Sequence, residues 1–144
     1  GDEGSGAVLG KHFLSDVLKG LAPKEVMADF FEKFRISPNE VMESVYNRPF
    51  PNRFLSTISY FLADYTSDDY VYELIITNLR NFFTRNVCQY DYKSYPIRFV
   101  GSLAYSYAPI LREVAGDFGI ELDVIEETPM NGLIDFHSLN IEEP

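Results

Sequence analysis

Two short segments do most to fix the fold class of this chain. Pro96-Ile97-Arg98-Phe99-Val100 is partly β-branched and runs into Gly101-Ser102, so it reads as a strand ending in a tight turn. Ile120-Glu121-Leu122-Asp123-Val124 alternates apolar with acidic residues and reads as a second strand. Between them Ile110, Leu111, Val114 and Phe118 recur at helical spacing, with Gly119 as the stop. Strand, helix and strand joined this closely make a βαβ unit, with parallel strands and a right-handed crossover. Parallel sheets are ordinarily larger than this and covered on both faces. No third convincing strand appears in the 144 residues. The expectation is therefore an incomplete sheet, finished by polypeptide outside this chain and most simply before Gly1. That the sequence does not start on methionine agrees with a piece of a longer gene product.

Everything ahead of these segments reads as helix. Leu14, Val17, Leu18 and Leu21 share one helical face, and Gly6 and Gly10, four apart, predict that something packs closely on the turn they span. Pro23 suits the first turn of a second helix carrying Val26, Met27, Phe30, Phe31 and Phe34. Ser37-Pro38-Asn39-Glu40 is a capping box that opens a short third helix with Val41, Met42 and Val45. Arg48-Pro49-Phe50-Pro51 breaks it, and Asn52 is placed to cap a fourth with Phe54, Leu55, Ile58, Phe61 and Leu62. Ser67-Asp68-Asp69 starts a fifth, faced by Val71, Leu74, Ile75, Leu79, Phe82 and Phe83. Pro129-Met130-Asn131-Gly132-Leu133-Ile134 reads as a turn into a short terminal helix. The Phe and Tyr stripes are core rather than a cofactor box.

Composition removes several function classes. With 46% apolar and 24% charged residues the chain is globular and large enough for one real core. A net charge of −10 argues against general binding to nucleic acid or to anionic membranes. A phosphorylated small ligand stays open, because helix N-terminal amides hold phosphate without side-chain charge. The single cysteine, Cys88, rules out an intrachain disulfide and a four-cysteine metal site, which fits a reducing, cytoplasmic setting. No apolar run approaches the ~20 residues of a bilayer-spanning helix.

Two loops have ligand-holding character. Gly1-Asp2-Glu3-Gly4-Ser5-Gly6 runs into the first helix; its glycines allow close backbone approach, and Asp2 or Glu3 can accept hydrogen bonds from sugar hydroxyls or hold water on a metal. The plainer alternative is a capped helix start, with Ser5 at the cap and the acids favoured by the dipole. Val100-Gly101-Ser102-Leu103-Ala104-Tyr105-Ser106 leaves the carboxyl end of a parallel strand, where open α/β sheets bind nucleotides, and Ser102 and Ser106 share a helix face. Its alternative is equally simple: Gly101 turns the chain and Ser102 caps the helix. His12 and His137 show no partner pattern and read as surface or packing residues. Cys88 reads as a small buried hydrophobe. Glu121, Asp123, Glu126 and Glu127 read as a solvated strand edge.

GDEGSGAVLGKHFLSDVLKG resembles the middle segment of N-acetylglucosamine kinase-like proteins of the BadF/BadG/BcrA/BcrD ATPase family. FVGSLAYSYAPILREVAGDFGIELDVIEETPMNGLIDFH is similar to their carboxyl-terminal end, including the closing Pro-x-x-Gly-Leu and the final His. The helices between match in character more than in motif. The resemblance implies the carboxyl-terminal part of an actin-like (ribonuclease H-like) ATPase fold, here a helix-rich α/β chain with a helical block followed by one βαβ unit. It also implies transfer of the γ-phosphoryl group of ATP to a hydroxyl of N-acetylglucosamine or a similar amino sugar, with Mg2+. On that basis Asp2 matches the family's sugar-contacting acid, with Glu3 and Gly4 shaping the same loop. Gly101, Ser102 and Ser106 match the adenosine-side loop and helix start.

The family's Asp-x-Gly-Gly-Thr phosphate loop and its general-base aspartate have no counterpart here, so this chain by itself is expected to be inactive and to need its amino-terminal half as partner. Asn78-Leu79-Arg80-Asn81 stands where the family often has a nucleotide-contacting glycine. The expected organisation is residues 1–22 as sugar loop and first helix, 23–92 as helical block, and 93–144 as the βαβ unit with the adenosine-side loop and a terminal helix. The apolar helical faces allow a homodimer. Two other functions fit the residues: an ATPase activator of a reductase on the same fold, for which one cysteine per chain is few, and a non-catalytic helical binding module.

Overall fold

The computed structural model, which describes residues 6–87, 97–100, 107–120 and 122–126, places helices first and strands last. The order is α1 (Gly6–Leu18), α2 (Lys24–Phe34), α3 (Pro38–Tyr46), α4 (Asn52–Leu62), α5 (Asp69–Phe82), β1 (Ile97–Val100), α6 (Ala108–Asp117) and β2 (Leu122–Glu126). A 3-10 turn, Ala63–Tyr65, follows α4, and a π turn, Phe83–Val87, continues α5. Among the described residues no helix is long and apolar enough to cross a membrane.

Gly6 and Gly10 do what their spacing predicts. A Cβ at Gly10 would stand 2.2 Å from the Leu55 carbonyl oxygen, so α1 and α4 touch backbone to backbone at this point. One turn away, the Ser59 hydroxyl donates to the Gly6 carbonyl at 2.5 Å. The pairings Gly10–Leu55 and Gly6–Ser59 run in opposite senses, so the two helices are antiparallel.

The start and stop signals explain most boundaries. The Ser37 hydroxyl accepts from the Glu40 amide at 3.1 Å while a Glu40 carboxylate oxygen accepts from the Ser37 amide at 2.8 Å, the reciprocal pair of a capping box. Asp68 caps α5 by accepting from the amides of Tyr70 and Val71. α1 and α6 both close with a glycine at positive φ, Gly20 at 71° and Gly119 at 73°. In each case the amide after that glycine reaches back to close the end, Leu21 to the Asp16 carbonyl and Ile120 to the Ala115 carbonyl.

Several details depart from the spacing. Leu21 is 59% exposed rather than on the inner face of α1, because the turn at Gly20 carries it off the helix. Asn52 does not cap α4: it is the first helical residue, Pro51 holds the cap position, and no side chain bonds the end. Met42 points outward on α3 at 47% exposed, whereas Ser44 turns inward and accepts from the Phe50 amide at 3.1 Å. β2 begins at Leu122 rather than Ile120, whose amide closes α6 and whose side chain is only 5% exposed.

The core is aromatic at one end and aliphatic through the middle. Phe30 is fully buried, with the rings of Phe13, Phe31, Phe34 and Phe61 at centroid distances of 5.2, 5.4, 5.1 and 6.0 Å. Burying one such ring stabilises by about 1.5–3 kcal/mol, and edge-on ring pairs add to that. Leu55, Ile58 and Leu62 of α4 meet Leu14 and Val17 of α1 and Val71, Leu74 and Ile75 of α5 within one cluster. α6 joins through Ile110, Leu111, Val114 and Ala115, and Phe118 stacks on Phe83 at 5.5 Å. β1 and β2 pair in parallel, Arg98 opposite Val124 and Val100 opposite Glu126, with one irregularity between Ile97 and Arg98. A βαβ unit is therefore present, as its three segments predict, and the described sheet has two strands.

Candidate functional site

Asp2, Glu3 and Gly4, together with Gly101, Ser102 and Ser106, lie outside the described residues, as do Cys88, His137 and the side chains of Glu121, Asp123, Glu126 and Glu127. What is described is the framework on either side of the two candidate loops. The first loop ends at Gly6, the opening residue of α1, and the second lies between Val100 of β1 and Tyr107, the cap residue of α6.

These two flanks converge on one residue of α4. The Ser59 hydroxyl donates to the Gly6 carbonyl, and the Tyr107 hydroxyl donates to the Ser59 carbonyl. Ser59 is fully buried and Tyr107 is 4% exposed. Both bonds are thus shielded from water, where a missing partner costs about 1–3 kcal/mol. Burial pushes the Tyr107 phenol far above its usual pKa, with the nearby Asp64 charge acting in the same direction, so it stays a donor at any physiological pH. α6 starts with no acid in its first turn and no side-chain cap, a helix end compatible with an anionic group or hydroxyls nearby. The sequence carried one sign of this arrangement: Ser59 is a small polar residue on the apolar face Leu55, Ile58, Leu62.

Other polar groups form two separate clusters. His12, read from sequence as without a partner pattern, in fact has partners: its Nδ1 lies 3.0 Å from the Asn78 side-chain nitrogen and its Nε2 lies 3.7 Å from Asp16. Asp16 also accepts from the Tyr70 hydroxyl at 2.7 Å, which, after burial, is the main reason that phenol is held well above its usual pKa. The Asn78–His12 and Tyr70–Asp16 contacts tie α1 to α5. No periodicity rule could have revealed this contact, which joins residues 66 positions apart. The second cluster lies along an open cleft of about 410 Å³ lined by Asp29, Glu32, Lys33, Phe61, Asp64 and Tyr65. There the Tyr65 hydroxyl donates to Asp29 at 2.6 Å. Among the described residues no three His, Cys, Asp or Glu side chains are grouped to hold a metal ion.

No protein-family model and no curated protein matches the chain. A solved structure does: the crystal structure of a "putative N-acetylglucosamine kinase" from Porphyromonas gingivalis is 39% identical, with a TM-score of 0.80. The match takes in 97% of this chain and 50% of that one, so the chain spans half the length of the protein it resembles.

Proposed function

We propose that this chain is the carboxyl-terminal part of an ATP-dependent sugar kinase of the actin-like fold, acting on N-acetylglucosamine or a similar amino sugar. The observation that carries the reading is the 39% identity, over 97% of the chain, to a solved protein described as such a kinase. The convergence of Gly6 and Tyr107 on Ser59 supports it, since a phosphotransferase needs its sugar loop and its nucleotide loop on one rigid support.

In this reading Asp2 accepts hydrogen bonds from the sugar hydroxyls, and Glu3 and Gly4 shape the loop around the ring. Gly101 lets the backbone approach the nucleotide, and Ser102 and Ser106 offer hydroxyls to it. The start of α6 carries no acid in its first turn and its cap residue Tyr107 makes no side-chain bond to the helix end, which fits that role. Bound ATP with Mg2+ supplies the phosphoryl group and the positive charge that offsets it. The phosphate loop and the general base belong to the amino-terminal half, so this chain binds and positions but does not complete the reaction. The enzyme is read as cytoplasmic.

Isothermal titration tests this on the chain joined to its natural upstream polypeptide. Saturable binding of both N-acetylglucosamine and a non-hydrolysable ATP analogue is expected. Binding of neither overturns the reading.

A further inference from the structure

The surroundings of Asn78 fix how its contact with His12 is made. Its side-chain nitrogen lies 2.8 Å from the Leu74 carbonyl oxygen, which can only accept, so the amide presents its nitrogen and not its oxygen on this side. One hydrogen goes to Leu74 and the second is left for the His12 Nδ1, 3.0 Å away. Nδ1 must then accept, which puts the single ring proton on Nε2 and leaves the imidazole neutral. Nε2 faces Asp16 of the same helix at 3.7 Å, beyond hydrogen-bond reach but close enough to feel a charge. The His12 side chain is 40% exposed, so solvent protons reach it.

We infer that His12 is a proton-sensitive joint between α1 and α5: the neutral ring is tied across to Asn78, and the charged ring is released from it. Protonation places a hydrogen on Nδ1, so two donors then face each other. Turning the amide over does not repair this, because it sets the Asn78 oxygen against the Leu74 carbonyl at the spacing the nitrogen now holds. The charged ring has a partner in Asp16, four residues on in its own helix. A tie between helices is thereby exchanged for one within α1. Imidazole is the side chain that changes charge between about pH 5 and 8. The other titratable groups of the cluster are Asp16 and, from α5, Tyr70, whose hydroxyl donates to the same Asp16 oxygen at 2.7 Å. That phenol keeps its proton throughout, since burial and this bond hold its pKa far above the usual value. α3 and α4 also pack on α1, and among the described residues neither adds a hydrogen bond or ion pair to the ring. The joint rests on these contacts alone and not on the function proposed above.

Amide exchange in the chain joined to its natural upstream polypeptide, corrected for the intrinsic rate at each pH, tests this. At about pH 7.5, Asn78→Ala is expected to lower protection at the buried α1 positions Phe13, Leu14 and Val17 about threefold or more. At about pH 5.5 the same substitution leaves that protection within about twofold of its parent, because the bond is already gone. In a His12→Phe background, Asn78→Ala is expected to change it by less than about twofold at either pH. A loss of equal size at both pH values, which a purely structural asparagine gives, overturns the inference. So does no loss at either pH, or an undiminished loss in the His12→Phe background. Should Asn78→Ala fail to fold, nitrogen NMR of the wild-type His12 ring decides the matter. A proton on Nε2 at about pH 7.5 supports the joint, and a proton on Nδ1 there overturns it.

Discussion

Gly10 and Gly116 are both helical glycines, yet their surroundings predict opposite responses to a methyl group. At Gly10 the added carbon meets the Leu55 carbonyl at 2.2 Å, and because that atom is backbone it cannot swing aside. Gly10→Ala is therefore expected to force α1 off α4 and lower stability by about 3 kcal/mol, measured by denaturant unfolding. At Gly116 nothing lies within 4 Å, so Gly116→Ala is expected to raise stability by about 0.5–1 kcal/mol through the unfolded chain's lost freedom. Equal responses would refute the account of the α1–α4 contact. Tyr65 provides a pH test. Its pKa is pushed up to about 12, first by the hydrogen bond it gives Asp29, then by burial and by the charges of Asp29 and Asp64. A folded value above the usual 10.0 means the bond's contribution is complete below about 10 and disappears as pH climbs through about 12. The difference in tyrosinate absorbance between wild type and Tyr65→Phe should show that late titration, and a midpoint near 10 would refute it. The close approach at Gly6 and Gly10 was legible because missing side chains have a spacing. The Tyr65–Asp29 and His12–Asn78 pairs were not, because nothing local records which distant helix a side chain will meet.

Among the helices, α3 separates what capping chemistry encodes from what packing decides. Its start was readable from Ser37 and Glu40 alone, since both bonds lie within four consecutive residues. Ser37→Ala is expected to cost about 1 kcal/mol in thermal unfolding, and a shift indistinguishable from zero would mean the box contributes nothing. Its face was misread: Val41 is fully buried as expected, but Met42 faces outward and Ser44 inward. Hydropathy ranks Met above Ser, whereas the fold needed a small acceptor for the Phe50 amide at the bend that follows. The same logic explains α4, where the prolines around Phe50 set the start of the helix and left Asn52 inside it. It also explains β2, where the α6 closure at Gly119 and Ile120 displaced the strand from the segment its alternation marked.

At the level of the complete assembly, the helical block followed by a parallel βαβ unit was legible because periodicity changes sharply after the apolar helix faces end. The two described strands pair with each other, and a pair this small has little independent stability. The proposed function places further strands in the amino-terminal half. Backbone amides of Ile97–Val100 should therefore exchange rapidly in this chain alone and more slowly once that half is joined to it. Equal protection in both contexts would mean that no strand is added beside them. The tie between the starts of α1 and α6 was not legible, because the residue that makes it sits mid-helix, far from both in sequence.

The bare contact between Gly10 and Leu55 also bears on the order of assembly during synthesis. α1 is made before α4, and its glycine face has no seat until α4 has left the ribosome. α2 and α3 must therefore emerge while α1 is still unsatisfied on that face, and a pause in translation within that interval would leave it open to chaperones or to misassembly.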